Sequence, residues 1–371
     1  MKQKEYNYWI SNLNHIGSRK IELLLQYFGS SEEVFKASRD ALEELQKLSI
    51  MEDNTRISEV DIDTITQNRN AEQVIERFDK LMKSNISFIT KEDEDYPSRL
   101  RQIYDAPFAL YVKGKLPPEG TKALAIVGAR DCSPYGKEMA KYLAGAAAQE
   151  GILIISGLAR GIDAYAHEGT LAAGGMTYGI LGCGIDICYP KENINLYMEM
   201  QKHGGIISEY APGVQPFAGN FPMRNRIISG LCDGVLVIEA KEKSGSLITA
   251  DMGLEQGKDI FALPGRATDR LSEGCNNLIK MGAKMVTSPK DILEDFLPGY
   301  HMSNESDKKA DNSLMAGDKA VIDCLSLEPK HIEEIAILTK LPMDLLMEQL
   351  LLLELRGHVR QTMKNYYVIR N

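Results

Sequence analysis

The stretch GILIISGLARGIDAYAHEGTLAAGG, residues 151–175, joins an apolar, β-branched run to a glycine turn and then to an alanine-rich segment of helical length. Its first half has no polar alternation, the pattern of a strand buried on both faces. Comparable runs bounded by glycine recur around it: ALAIVGAR (123–130), TYGILGCG (177–184), GGIISEY (204–210), GVLVIEA (234–240) and DIFALPG (259–265). Between most of them lie Ala-, Leu- and Met-rich stretches long enough for helices, such as 135–149 and 164–173. Buried strands alternating with helices predict a parallel, doubly wound sheet over residues 106–297. Such sheets take ligands at the carboxyl ends of their strands, where these glycines and arginines fall.

The flanks differ in character, and 371 residues leave room for two or three domains. Residues 1–105 read as a helical domain: Leu13 and Ile16, then Ile21, Leu24, Leu25 and Phe28, fit two amphipathic helices broken at Gly17 and Gly29. The break HIGSRK (15–20) suits either a phosphate-holding helix-hairpin-helix turn or a plain helical hairpin, and the plain hairpin is the preferred reading. Pro97 and Pro107 then interrupt the periodicity ahead of a short strand, FALYVKG (108–114). Residues 298–313, PGYHMSNESDKKADNS, have the composition of a flexible linker. Beyond it, residues 314–371 show three helical patterns and a closing two-stranded hairpin, the order of a winged helix. Arg356, Arg360, Lys364 and Arg370 are its closing basic residues, and no acidic residue accompanies them. They suit contact with nucleic acid or a balance to the acidic helices before them, and a winged helix also serves as a protein-interaction module.

A net charge of −9 and a pI near 5.4 exclude bulk electrostatic coating of nucleic acid, so any anion site must be local. There is no signal-peptide pattern and no apolar run of bilayer length, which predicts a cytoplasmic protein without a membrane partner. The six cysteines show neither a CxxC pair nor zinc spacing and read as reduced packing residues. With no GxGxxG and no GxxxxGK[ST], neither a dinucleotide nor ATP is expected, and the sequence predicts no cofactor, no metal and no catalytic set.

Several strand-to-helix turns are suited to anions. In IVGARDCSPYG (126–136), Gly128 lets a backbone approach a ligand, Ser133 is a helix N-cap, Pro134 suits the first helical position, and Arg130 stands nearby. SGLARGID (156–163) brings Arg160 and Asp163 to the next turn; Asp163 and His167 share a helix face, as an acid/base pair or, in the favoured reading, as a dipole-favourable charge and a polar neighbour. In GILGCGIDICYPKEN (179–193), Tyr189 suits base stacking or loop packing. Ser244, Gly245 and Ser246 precede a helix that carries Thr249 one turn in, an arrangement for phosphate or for ordinary capping. FPMRNRIISG (221–230) starts a helix whose Ile227, Ile228 and Leu231 form one buried stripe. Its Arg224 and Arg226 point about 200° apart, so they cannot both lie opposite that stripe, and Arg224 belongs at the core edge or over the sheet end.

In type, order and spacing, VGAR, SGLARGID, FPMRNRIISGL, SGSLITA, EQGKDIFALPG and SEGCNNLI together resemble the DNA-processing protein A family (DprA/Smf). The resemblance implies an extended Rossmann-like domain between a helical (helix-hairpin-helix or SAM-like) domain and a winged helix. It implies a dimer that binds single-stranded DNA, protects incoming strands and loads the RecA recombinase during natural transformation, without catalysis. Carried onto this chain, the DNA-binding positions are Gly128, Arg130, Arg160, Phe221, Arg224, Asn225, Arg226, Ser244, Gly245 and Ser246. Arginines would meet phosphates, Phe221 would stack a base for roughly 1–3 kcal/mol, and Arg224 rather than Arg226 is expected on DNA, with Arg226 holding the loop. Two rival readings stand beside this one: a nucleotide-processing enzyme drawing an acid from Glu239, Asp251 or Glu255, and a winged-helix regulator of duplex DNA.

Overall fold

The computed structural model describes residues 1–52, 55–297, 316–355 and 358–369. The linker expected at 298–313 lies outside them, as do Arg356 and Arg370. The chain opens with helices α1 (Gln3–Ser11), α2 (Ser18–Phe28), α3 (Ser31–Lys36), α4 (Arg39–Glu52), α5 (Glu59–Gln67) and α6 (Ala71–Met82). Gly29, at a φ of 88°, ends α2 as the sequence predicts, because that backbone conformation favours glycine. The HIGSRK turn is spent on the protein itself: Ser18 Oγ donates to Glu209 Oε1 (2.9 Å) and accepts from the Phe108 N–H, while Lys20 pairs with Asp61 at 2.7 Å. It packs as a helical hairpin.

The sheet segment follows as β1 (Ser87–Thr90), α7 (Ser98–Arg101), β2 (Ala109–Gly114), β3 (Ala123–Val127), α8 (Pro134–Gln149), β4 (Leu153–Ser156), α9 (Ile162–Ala172), β5 (Thr177–Leu181), α10 (Ile194–Met200), β6 (Gly204–Ser208), α11 (Asn220–Gly230), β7 (Gly234–Val237), α12 (Gly245–Glu255), β8 (Asp259–Ala262), α13 (Glu273–Lys280), β9 (Lys284–Met285) and α14 (Lys290–Phe296). The nine strands lie in the order β1-β2-β6-β5-β4-β3-β7-β8-β9. β6 through β9 in that order pair in parallel, whereas β2 runs antiparallel to both β1 and β6. β3 to β6 step outward on one side of β3, after which α11 carries the chain back to β7 on the other. β3 and β7 therefore flank the topological switch point, with Gly128 and Glu239 just past their ends.

Helices cover both faces of the sheet. One core joins Leu124, Ile126 and Ile154 to Leu143 of α8 and Ile162 of α9, and the opposite face joins Ala125, Ile155 and Val235 to Ile227 and Ile228 of α11. A third core runs from Trp9 and Leu24 of the N-terminal helices to Tyr111, Leu181 and Ile206 of the sheet, so the helical segment packs directly on the strands.

The C-terminal segment forms α15 (Ala316–Cys324), β10 (Lys330–His331), α16 (Ile332–Thr339), α17 (Met343–Leu355), β11 (Val359–Met363) and β12 (Tyr366–Ile369). Its three-stranded sheet, β10-β12-β11, and its own core around Val321, Ile335, Leu346 and Leu350 make the winged helix that the sequence predicts.

Candidate functional site

A cleft of about 450 Å³ opens at the switch point. It is bounded by Gly128 and Arg130 after β3, Phe221, Arg224 and Asn225 of α11, and Ser244, Gly245, Ser246 and Thr249 at the start of α12. Residues up to 121 positions apart in sequence thus meet because β3, β7 and α11 converge there.

The floor is polar and locked. Arg224 is buried; its Nη1 donates to the carbonyls of Gly157 (2.7 Å) and Ile180, and its Nε donates to Asn225 Oδ1 at 3.2 Å. Burial pushes the guanidinium down to about 10, opposed by the nearby Asp163, so it stays cationic at neutral pH. Gly157 must be glycine here, since a Cβ would stand 2.5 Å from Arg224 Nη2. Burial raises the Asp163 carboxyl and the Arg224 charge opposes that rise, while the Gly157 N–H donates to Asp163 Oδ2 at 3.1 Å. His167, one turn further along α9, is pushed down to about 3 by burial and is neutral; its Nδ1 lies 2.6 Å from Thr177 Oγ1. A neutral, buried imidazole off the cleft wall fits the polar-neighbour reading and not an acid/base pair.

The wall carries rings. Phe221 lies 5.5 Å from the exposed Tyr189 ring, and the Arg130 guanidinium sits 5.6 Å from the Phe221 centroid. A Cβ on Gly182 would approach Phe221 Cδ1 to 2.9 Å, so this glycine makes room for the ring. The adjoining crevice is lined by Arg130, Arg160, Tyr189, Phe221 and Arg224. Arg160 reaches only this crevice and pairs with Glu192 at 2.5 Å on the open surface. On the third side, Ser244 Oγ caps α12 by accepting from the Ser246 N–H, and Asn225 Nδ2 donates to the Gly245 carbonyl at 3.3 Å, tying the α12 start to α11.

One sequence expectation changes, and one of the ten candidate positions falls outside the cleft and its adjoining crevice. The start of α8 is not open to phosphate: the Glu239 carboxylate sits on it, accepting from the Ser133 N–H (2.8 Å) and from Ser133 Oγ. A Cβ on Gly136 would lie 2.4 Å from that carboxylate, so Gly136 leaves room for Glu239 to cap the helix. Arg226 does not join the cleft: buried on the other side of α11, it pairs with Glu209 (2.7 Å) and Asp105 (3.0 Å). Pro216 and Ala218, from the loop before α11, also line the cleft and went unread because nothing in VQPFAGN carries a chemical signature. Among the described residues no His/Cys/Asp/Glu group could hold a metal ion, and no helix is long and apolar enough to cross a membrane.

The class of protein is thus a Rossmann-like sheet whose switch point holds two neighbouring rings, an exposed arginine and a serine-capped helix start, joined to a winged helix. Residues 87–297 match the family of DNA recombination-mediator protein A, and residues 305–362 match the DprA winged helix domain. The chain belongs to this DprA/Smf family. It is 40% identical over 276 residues to the DNA processing protein DprA of Streptococcus pneumoniae, spanning 71% of this chain and 97% of the relative. An X-ray structure of that organism's DprA superposes with a TM-score of 0.67 at 36% identity, covering 81% of this chain and 100% of the other. The Smf protein of Escherichia coli is 38% identical over 296 residues, 78% of this chain and 79% of its own. DNA processing protein A of Helicobacter pylori, whose structure addresses its single-stranded DNA binding mode, matches with a TM-score of 0.53 at 31% identity over 59% of this chain and 99% of its own.

Proposed function

We propose that the switch-point cleft binds single-stranded DNA, and that the protein is a non-catalytic cytoplasmic mediator that protects incoming strands and loads RecA during natural transformation. The observation that carries this reading is the meeting of Phe221, Tyr189 and Arg130 beside the Ser244–Ser246 helix start. Rings accept the face of any base, a serine-rich helix start and Arg130 accept phosphates, and a duplex keeps its base faces stacked away from such a wall. The single-stranded DNA binding of the Helicobacter pylori relative supports it. Arg224 acts from beneath as a fixed positive charge, and Arg160 lies at the edge. The family also suggests a homodimer; the short edge strand β9, with Met281 and Met285 exposed at 75% and 52%, offers an uncovered apolar surface for it.

A salt-titrated gel shift tests the function. Oligo-dT should bind in preference to duplex of equal length, with log affinity falling linearly as log salt rises. Equal affinity for duplex, or turnover of a nucleoside monophosphate, would contradict the reading.

A further inference from the structure

The helix after the turn in a winged helix usually reads a DNA groove, and here that helix is α17. Its sequence, MDLLMEQLLLLEL, contains no lysine or arginine. Leu346, Leu350 and Leu353 form its inner stripe in the domain core. The outer surface carries an apolar line: Met343, Met347 and Leu351 stand at i, i+4 and i+8, with Met347 and Leu351 each 58% exposed. Leu345 and Leu352 are exposed on its other flank, and Ile337 of α16 is 75% exposed. A contiguous exposed apolar line on a surface helix marks a site for a partner. This chain's sheet domain does not cover it, because the winged helix meets that domain elsewhere, through Arg360 of β11 with Glu138 (2.6 Å) and Glu328 before β10 with Arg266 (2.5 Å).

Charge decides what fits. Residues 332–355 carry five carboxylates (Glu333, Glu334, Asp344, Glu348 and Glu354) against one lysine, Lys340. Asp344 and Glu348 border the Met343–Met347–Leu351 line and are exposed. DNA phosphates would be repelled, and a second copy would set the same carboxylates against each other. A cationic amphipathic helix complements both the apolar line and its acidic border. We propose that the outer face of α17 docks an amphipathic helix with basic flanks from another protein.

The test uses the full chain and a synthetic leucine–lysine peptide of about 18 residues with its leucines at helical spacing. A peptide of the same composition in scrambled order is the control. The amphipathic peptide should bind and the scrambled one should not; Met347→Lys and Leu351→Lys should each weaken binding about tenfold. Leu254→Lys, which alters an equally open apolar residue on α12, should leave it unchanged. All three positions are exposed, and thermal melts confirm that the variants fold. No binding, equal binding of the scramble, or unaltered affinity in both α17 variants overturns the proposal. So does sedimentation showing that Met347→Lys alone lowers the mass of a self-associated chain, which would give the face to a second copy.

Discussion

Arg224 and Arg226 are two residues apart, both are buried, and they serve opposite sides of one helix. Their divergence was legible in the sequence, because helix geometry alone sends them about 200° apart. The partners of Arg226 were not: Glu209 lies 17 residues away and Asp105 lies 121, and no local pattern pairs them. Removing Arg226 takes the shared partner from the partly exposed Glu209 and Asp105 carboxylates, so Arg226→Ala should lower stability by about 1–3 kcal/mol in urea titration, with oligo-dT affinity of the folded fraction unchanged. His167 makes a pH prediction. Its native state resists protonation down to about 3, while the unfolded imidazole takes a proton near 6.5. Between those values the unfolded chain binds the extra proton, so stability falls as pH drops, by up to about 1.4 kcal/mol per unit from this group. His167→Gln should flatten the stability–pH curve below 6.5 relative to the parent; parallel curves would refute the assignment.

At the scale of elements, the strands with long apolar runs and the helices with caps were readable locally. Ser133 and Pro134 announced α8, and Ser133 Oγ does accept from the Gly136 N–H at 3.0 Å. β1 and β9 escaped notice, because four and two residues give too little periodicity to register. The role of Glu239 was equally hidden, since its capping contact joins the end of β7 to the start of α8 across 106 residues. Glu239→Ala leaves the Ser133 N–H and the α8 dipole without their buried acceptor, which should cost about 1–3 kcal/mol in denaturant melts. Unchanged melts would contradict the capping assignment.

Across the whole molecule, helices, sheet and wing are joined by a shared core at one end and by ion pairs at the other, and the cleft sits between elements drawn from most of the central segment. The sequence placed eight of its ten expected binding residues at this cleft, with Arg160 in the adjoining crevice and Arg226 outside it, because strand-end glycines and helix starts mark a switch point even when long-range pairing cannot be read. The central claim, that rings and an exposed arginine in this cleft hold single-stranded DNA, is tested most directly by equilibrium binding of oligo-dT to Phe221→Ala and Arg130→Ala across a salt series. Phe221→Ala should weaken binding by about 1–3 kcal/mol at every salt concentration with the slope unchanged. Arg130→Ala should weaken it and reduce the salt slope by about 1. Folded variants that both bind like the parent would contradict the account.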